Sequence, residues 1–309
     1  MGLISYFYKK KLVCRYDKQV AIPYYSHHNF KGLNQESYVF TNSKGVEIHY
    51  FYYYYKGYKK DKMILFCHGI GPGHTAYLKE IEWLAKEGYK VLTFDYTGCG
   101  ESKGKLLGSL YTPTYDALDL LNYLHLDEEI ILVGHSLGGF TALNVIASNK
   151  DIKKAVIMSG FLSIPLLMNE FLKNKWLAKG IIRYESQFAL ASNKNVILDY
   201  LKDTTDEILF IQSIDDNVVP YSASLKVIEE INNKHFKVIK ENSKKHNPNY
   251  TIEAVRYMDA TFSEYHLKRR KKEIKTEEQK IKFFKNVSLD KLTEQDPKII
   301  REVLDFLGE

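Results

Sequence analysis

The sequence predicts an α/β fold, a mostly parallel central sheet with helices on both faces. Three observations predict it. Short apolar runs of strand length recur from residue 36 onward, among them Met63–Cys67, Lys90–Phe94, Ile130–Val133 and Glu207–Ile211. Between them lie stretches whose apolar residues fall three and four apart, as in Leu78, Ile81 and Ala85. Glycine and proline stand at the joints, where Gly88 closes one helix and Pro113 sits in the first turn of the next.

Taken in order, Tyr38–Thr41 and Val46–Tyr54 read as a β-hairpin turning at Asn42–Gly45. Met63–Cys67 is a buried strand, and Lys90–Phe94 another. A helix carries Ala117, Leu118, Leu121 and Leu124. Ile130–Val133 is a strand, Leu137–Ser148 a helix and Ala155–Met158 a strand. Glu207–Ile211 is a strand, Leu225, Ile228 and Ile231 mark a helix, and Phe236–Ile239 is a strand. Ile299, Ile300, Val303, Leu304 and Leu307 give a terminal helix its apolar face. Two segments interrupt the alternation. Residues 161–205 read as inserted helices, and residues 257–293 as a charged helical insertion. The expected organisation is an N-terminal segment, 1–35, packing on one domain, 36–309, that carries both insertions.

With 45% hydrophobic and 27% charged residues in 309, the chain can bury a sizeable core and is not disordered. No apolar run reaches the ~18–20 residues of a membrane span. Residues 1–14 place three lysines after an apolar patch, the reverse of a secretory signal, and Tyr6 stands where myristoylation wants Ser or Thr. The three cysteines, Cys14, Cys67 and Cys99, are odd in number and lack metal-ligand spacing. Free thiols in a reducing, cytoplasmic compartment are expected. The net charge of +6 equals that of residues 268–285 alone, which hold nine Lys or Arg and three Glu. Only six of the 44 basic residues are Arg, the phosphate-reading side chain, so nucleic acid is not an expected partner. The run 268–272 is expected to be a solvated helix face beside Glu273, Glu277 and Glu278, and no stable membrane insertion is expected.

The most informative stretch is Ile130-Ile131-Leu132-Val133-Gly134-His135-Ser136-Leu137-Gly138-Gly139. A serine lies between a buried strand and a helix, with glycine two residues before and two after. A sharp strand-to-helix turn strains the serine backbone and leaves no room for side chains at those two positions. The turn exposes the hydroxyl at the C-terminal end of the sheet and aims a helix N-terminus at it.

With this elbow, the chain resembles the serine hydrolases of the α/β-hydrolase superfamily. Phe66-Cys67-His68-Gly69-Ile70-Gly71 is similar to the family's His-Gly oxyanion loop. Asp95-Tyr96-Thr97-Gly98-Cys99-Gly100-Glu101-Ser102 is similar to its D-x-x-G-x-G-x-S loop. Ser213-Ile214-Asp215-Asp216-Asn217-Val218-Val219-Pro220 is similar to its acid loop, with Ser213 where glycine is usual. The resemblance covers about residues 36–250 and the final helix. It is closest to the monoglyceride lipase, feruloyl esterase and serine aminopeptidase relatives, and it implies the α/β-hydrolase fold with a short helical cap at 161–205.

A serine hydroxyl needs a histidine to take its proton and a carboxylate to orient that histidine. The family's order is serine, acid, histidine. His235, His246 and His266 follow the acid loop, and only His246 lies on the loop beyond the last strand. The family spacing from position 213 and to Pro220 selects Asp216 over Asp215. Asn217 and Pro220 then supply the turn after it. The resemblance implies that the backbone N–H groups of Ile70 and Leu137 form the oxyanion hole. His68 is expected to fix its loop, His135 to pack, and Cys99 to be a small loop residue rather than a nucleophile. No metal site and no cofactor are expected. Leu162, Ile164, Leu167, Met168, Phe171 and Trp176 either face Ser136 from the cap, implying a partly apolar acyl or aryl group, or pack the cap onto the sheet.

The expected function is a serine hydrolase of carboxylesterase or lipase type, cleaving a small-molecule carboxylic ester through an acyl-enzyme. A serine aminopeptidase or amidase acting on an amide or peptide is the alternative. A non-catalytic binding protein on the same fold is a third reading.

Overall fold

The computed structural model describes residues 2–58, 61–190 and 196–308. Helix α1 is Leu3–Lys11, followed by strands β1 (Asn34–Thr41), β2 (Glu47–Tyr54) and β3 (Lys62–Cys67). Then come α2 (Leu78–Lys86), β4 (Lys90–Phe94), α3 (Thr112–Leu124), β5 (Glu129–His135), α4 (Leu137–Ser148) and β6 (Lys154–Met158). Helices α5 (Ile164–Phe171), α6 (Lys175–Glu185) and α7 (Val196–Asp203) precede β7 (Glu207–Ser213), α8 (Leu225–Ile231) and β8 (Phe236–Glu241). The chain continues through α9 (Ile252–Arg270), α10 (Glu277–Phe284), α11 (Leu289–Leu292) and α12 (Pro297–Gly308).

The eight strands form one sheet in the order β1-β2-β4-β3-β5-β6-β7-β8. The hairpin β1–β2 joins β4 antiparallel, and the remaining pairs are parallel. Central strands are covered on both faces, which is why β3, β5 and β6 read as unbroken apolar runs. One face packs on α3, α4, α7 and α8 through residues such as Leu120, Phe140, Leu143 and Ile228. The other packs on α2 and α12 through Ile81, Leu84, Ile299 and Val303. The parallel strands point their C-terminal ends the same way. The loops after β3, β5, β7 and β8 therefore emerge at one edge.

Two differences from the sequence expectations have local causes. Residues 3–11 form a helix, in which Ile4 and Tyr8, one turn apart, dock on α6. Tyr8 donates to the buried carboxylate of Glu185 at 2.6 Å, and Ser109 donates to the same group at 2.5 Å. The charged insertion begins at Ile252, five residues earlier than expected, where the Thr251 hydroxyl caps the Ala254 N–H. It packs through Tyr265, Ile274 and Phe284 against Ala21. Residues 191–195 of the insertion between β6 and β7 lie outside the described residues.

Asp95, at the end of β4, organises the loops beneath the sheet edge. It is fully buried and accepts hydrogen bonds from the His74 amide, the His74 ring and the Glu101 amide, each at 2.8 Å. Burial alone would raise its pKa, but His74 and the Glu101 amide outweigh it and hold the carboxyl down to about 2. A carboxyl depressed by folding adds stability above its unfolded pKa, and loses it as pH falls through the folded value. Asp95→Asn should therefore lower the unfolding free energy by about 2–3 kcal/mol at neutral pH. Urea titrations of both proteins should show that gap narrowing between about pH 4 and pH 2. A constant gap across this window would contradict the assignment.

Candidate active site

Ser136 stands at the junction of β5 and α4 with φ 56° and ψ −120°. Its N–H donates to the Met158 carbonyl on the neighbouring strand at 2.9 Å. The glycine requirement is visible in the packing. A Cβ on Gly134 would overlap the Gly138 carbonyl, and a Cβ on Gly138 would overlap the Cys67 carbonyl at the end of β3. The first turn of α4 thus lies directly against the loop that follows β3.

The loops after β7 and β8 bring two further groups to the serine. His246 Nε2 lies 2.8 Å from Ser136 Oγ, and its Nδ1 lies 2.8 Å from Asp216 Oδ2. With Asp216 ionised, Nδ1 carries the proton and Nε2 is free to accept one from the hydroxyl. Asp216 Oδ1 also accepts from the Val218 and Val219 amides at 2.9 Å each. Burial would raise this carboxyl, but the hydrogen bonds and charge of His246 and the two amides hold it below the ordinary range.

The neighbouring acid is turned away. Asp215 is exposed and accepts from the Ser213 hydroxyl and, at 3.2 Å, from the Lys245 amide. Ser213 Oγ in turn accepts from the Lys244 amide at 3.2 Å. The serine that replaces the usual glycine therefore ties the β7 loop to the loop carrying His246. His235 lies before β8 and His266 is exposed on α9, so neither approaches Ser136.

Ile70, Leu137 and Ser136 line one cavity. The Leu137 N–H is the first of α4 and has no acceptor within the helix. A Cβ on Gly69 would sit 3.3 Å from Ser136 Cβ, so the loop after β3 passes beside the hydroxyl. His68 sets the loop's peptide plane. Its buried ring stacks on Tyr96 at 3.7 Å and donates from Nδ1 to the Gly69 carbonyl at 2.7 Å. That carbonyl and the Ile70 N–H belong to one planar peptide, so holding the carbonyl on one side turns the N–H to the other. Burial pushes the His68 pKa down to about 4, which leaves the ring neutral at pH 7.

His135, expected only to pack, has a position of its own. Its Nε2 donates to the His246 backbone carbonyl at 2.7 Å, so its Nδ1 accepts from the Tyr77 hydroxyl at 2.9 Å. Burial, then the nearby His246 ring, brings its pKa down to about 3, so this tautomer persists across neutral pH. The His246 loop is fixed on its far side too. Buried Lys244 pairs with Glu241 and Asp296 and donates to the Pro248 carbonyl, while Asn249 donates to buried Glu80 at 3.1 Å.

The cavity beside Ser136 measures about 170 Å³ and is walled by Leu12, Leu110, Phe161, Leu167, Met168 and Phe171 among others. Of the six cap residues expected to face Ser136 or to pack, Leu167, Met168 and Phe171 line this cavity. Leu162 and Ile164 join the core. Trp176 does neither. At 71% exposure it faces away, because α6 turns Ala178 and Ile181 inward. Burial pushes the Cys67 thiol up to about 12 and Cys99 higher still, which disarms both as nucleophiles. Among the described residues no group of three His, Cys, Asp or Glu could hold a metal ion, and no helix is long and apolar enough to cross a membrane.

His135→Phe keeps the ring volume and deletes the donor to the His246 carbonyl. Turnover of an activated ester should fall on the order of 10- to 100-fold with KM nearly unchanged, as expected for a misplaced base. An unchanged kcat would show that this hydrogen bond does not position His246.

The chain is similar to known hydrolases in part of its sequence and in its fold. The serine aminopeptidase family (S33) matches residues 58–201, a little under half of the chain. An epoxide hydrolase of Caballeronia sordidicola is 34% identical over 107 residues, 34% of this chain and 31% of that protein. A proline iminopeptidase of Saccharolobus solfataricus is 31% identical over 130 residues, 41% of each chain. The chain thus spans well under two thirds of these curated relatives. An esterase of Pyrococcus furiosus superposes with a TM-score of 0.58 at 19% identity, covering 84% of this chain and 96% of that one. The fold is thus that of the α/β-hydrolases, and over residues 58–201 the chain is similar to the serine aminopeptidase family.

Proposed function

We propose that the chain hydrolyses a small carboxylic ester through an acyl-enzyme. The observation that carries this reading is the line Ser136 Oγ to His246 Nε2 to Asp216, with 2.8 Å at each step, opening into an apolar cavity. Ser136 Oγ attacks the ester carbonyl while His246 Nε2 takes its proton. Asp216 holds the imidazole in its tautomer and stabilises the imidazolium. The N–H groups of Ile70 and Leu137 receive the oxyanion. Collapse breaks the ester bond, and His246 returns the proton to the departing alkoxide. Water, deprotonated by the same imidazole, then releases the acid and frees Ser136.

The cavity supports an ester over a free peptide N-terminus. Among the described residues, its lining includes no carboxylate that could hold an α-ammonium group. Its volume of about 170 Å³ is below the ~300–1,000 Å³ of pockets for drug-sized ligands, which suits a short acyl or single aryl group. The aminopeptidase reading draws on the S33 family match and the iminopeptidase relative, and a lining acid would be its signature. In this reading α5–α7 form a cap over one hydrolase domain, with residues 1–35 packed on it. The free thiols Cys14, Cys67 and Cys99 support a reducing, cytoplasmic setting.

A panel of p-nitrophenyl esters of increasing acyl length, beside aminoacyl anilides, tests the proposal. Short esters should turn over fastest and anilides slowest, and the reverse order would favour the aminopeptidase. On the best ester, Asp216→Asn should cost on the order of 10⁴ in kcat by leaving His246 in the wrong tautomer. Asp215→Asn should cost far less, since that carboxylate holds a loop amide. A larger loss at 215 than at 216 would assign the acid to the wrong residue.

A further inference from the structure

Five large apolar side chains lie exposed on α1 and on the cap. Leu3 is 72% exposed, Tyr6 56% and Phe7 52%, and Phe171 and Trp176 are 51% and 71% exposed. Helices α1 and α6 are packed together. Ile4 fills the gap left by Gly180, Tyr8 lies edge-on to Tyr184 at 5.6 Å, and Tyr8 is bonded to buried Glu185. The two helices therefore present their outer faces as one surface. That surface meets the cavity, because Phe171 and Leu12 also line the space beside Ser136.

The charge around these side chains is mostly positive. Residues 2–12 and 161–190 contain seven Lys or Arg and two acids, Glu170 and Glu185, and Glu185 is buried. Lys10, Lys11, Lys173, Lys175 and Lys179 are exposed between or beside the apolar groups. Aromatic side chains interleaved with lysines match the interfacial zone of an anionic bilayer, where rings enter the headgroup layer and ammonium groups meet lipid phosphates. By contrast, the basic segment 268–285 is interrupted by Glu273, Glu277 and Glu278, and its Lys268 and Lys280 pair with Glu264 and Glu277.

We propose that α1 and the cap dock on an anionic lipid surface, with Leu3, Phe7 and Trp176 entering the headgroup region and the cavity mouth facing the bilayer. The docking stands apart from the hydrolase reading and is tested on the Ser136→Ala protein, so that failure of one does not count against the other.

The chain has two tryptophans, and Trp83 is buried away from any docking surface, so a lipid-induced change in tryptophan emission reports Trp176. Vesicles of phosphatidylcholine containing about 30% phosphatidylserine should shift that emission to the blue, and high salt should reverse it. Pure phosphatidylcholine vesicles should bind at least tenfold more weakly. Lys173→Glu with Lys175→Glu, and separately Leu3→Ser with Phe7→Ser, should each reduce vesicle co-sedimentation at least tenfold. Both variants should keep the far-ultraviolet circular dichroism and the melting temperature of the parent protein, which shows that they fold. No shift with either vesicle overturns the proposal, as does equal binding to both compositions. A blue shift without lipid that follows protein concentration, together with a dimer mass by sedimentation, would instead make the surface an interface between copies and would also overturn it.

Discussion

The φ of 56° at Ser136 is the constraint on which the rest of the site depends. A residue with a Cβ rarely adopts that backbone, which costs on the order of 1–3 kcal/mol and persists only where the surroundings impose it. Here they do. The Ser136 N–H is tied to β6, α4 must start at Leu137, and Gly138 rests against the carbonyl of Cys67. The same contact that forbids a side chain at Gly138 sets the distance between the elbow and the loop after β3. The serine, the Leu137 N–H and the Ile70 loop are thus held in place by one close approach rather than by three separate devices.

Around this approach the buried polar groups form a frame with few loose ends. Each loop at the sheet edge is pinned: Gly69 by its neighbour His68, whose ring stacks on Tyr96, the His246 carbonyl by His135, and the amides of Lys244 and Lys245 by Ser213 and Asp215. Low pKa values follow from this burial. His68 and His135 stay neutral near pH 7 because water cannot reach their charged forms, and each can therefore keep a fixed donor and acceptor. Hydrogen bonds of fixed direction in a dry site are what hold a hydroxyl and an imidazole at 2.8 Å without mobile solvent between them.

Much of this was legible in the chain because buried parallel strands are written as apolar runs. Strands β3 to β7 emerged from composition alone, and the glycines at 134 and 138 marked the elbow between them. The pairing of Ser136 with a histidine 110 residues away could be reached only through the family's order of motifs. What stayed hidden depends on contacts that sequence spacing does not encode. His135 meets Tyr77 and His246, which are 58 and 111 residues distant, and nothing local distinguishes it from a packing residue. Lys244 lies in a polar stretch with no sequence signal of burial, yet it is 2% exposed and holds Glu241 and Asp296. Helix α1 was obscured because its docking residues alternate with Tyr6 and Phe7, which face outward and blur the periodicity. Trp176 misled for the opposite reason: a large ring in an apolar cap suggests burial, and the rotation of α6 places it outside.

The central claim is that the backbone of the elbow makes the Ser136 hydroxyl a nucleophile through His246. Its most direct measurement is the intact mass of the native protein after reaction with a fluorophosphonate, followed by peptide mapping. One adduct on the peptide containing Ser136, absent from Ser136→Ala and slowed on the order of a thousandfold or more in His246→Ala, is the predicted result. An adduct on any other residue, or none on a folded native protein, would contradict the account.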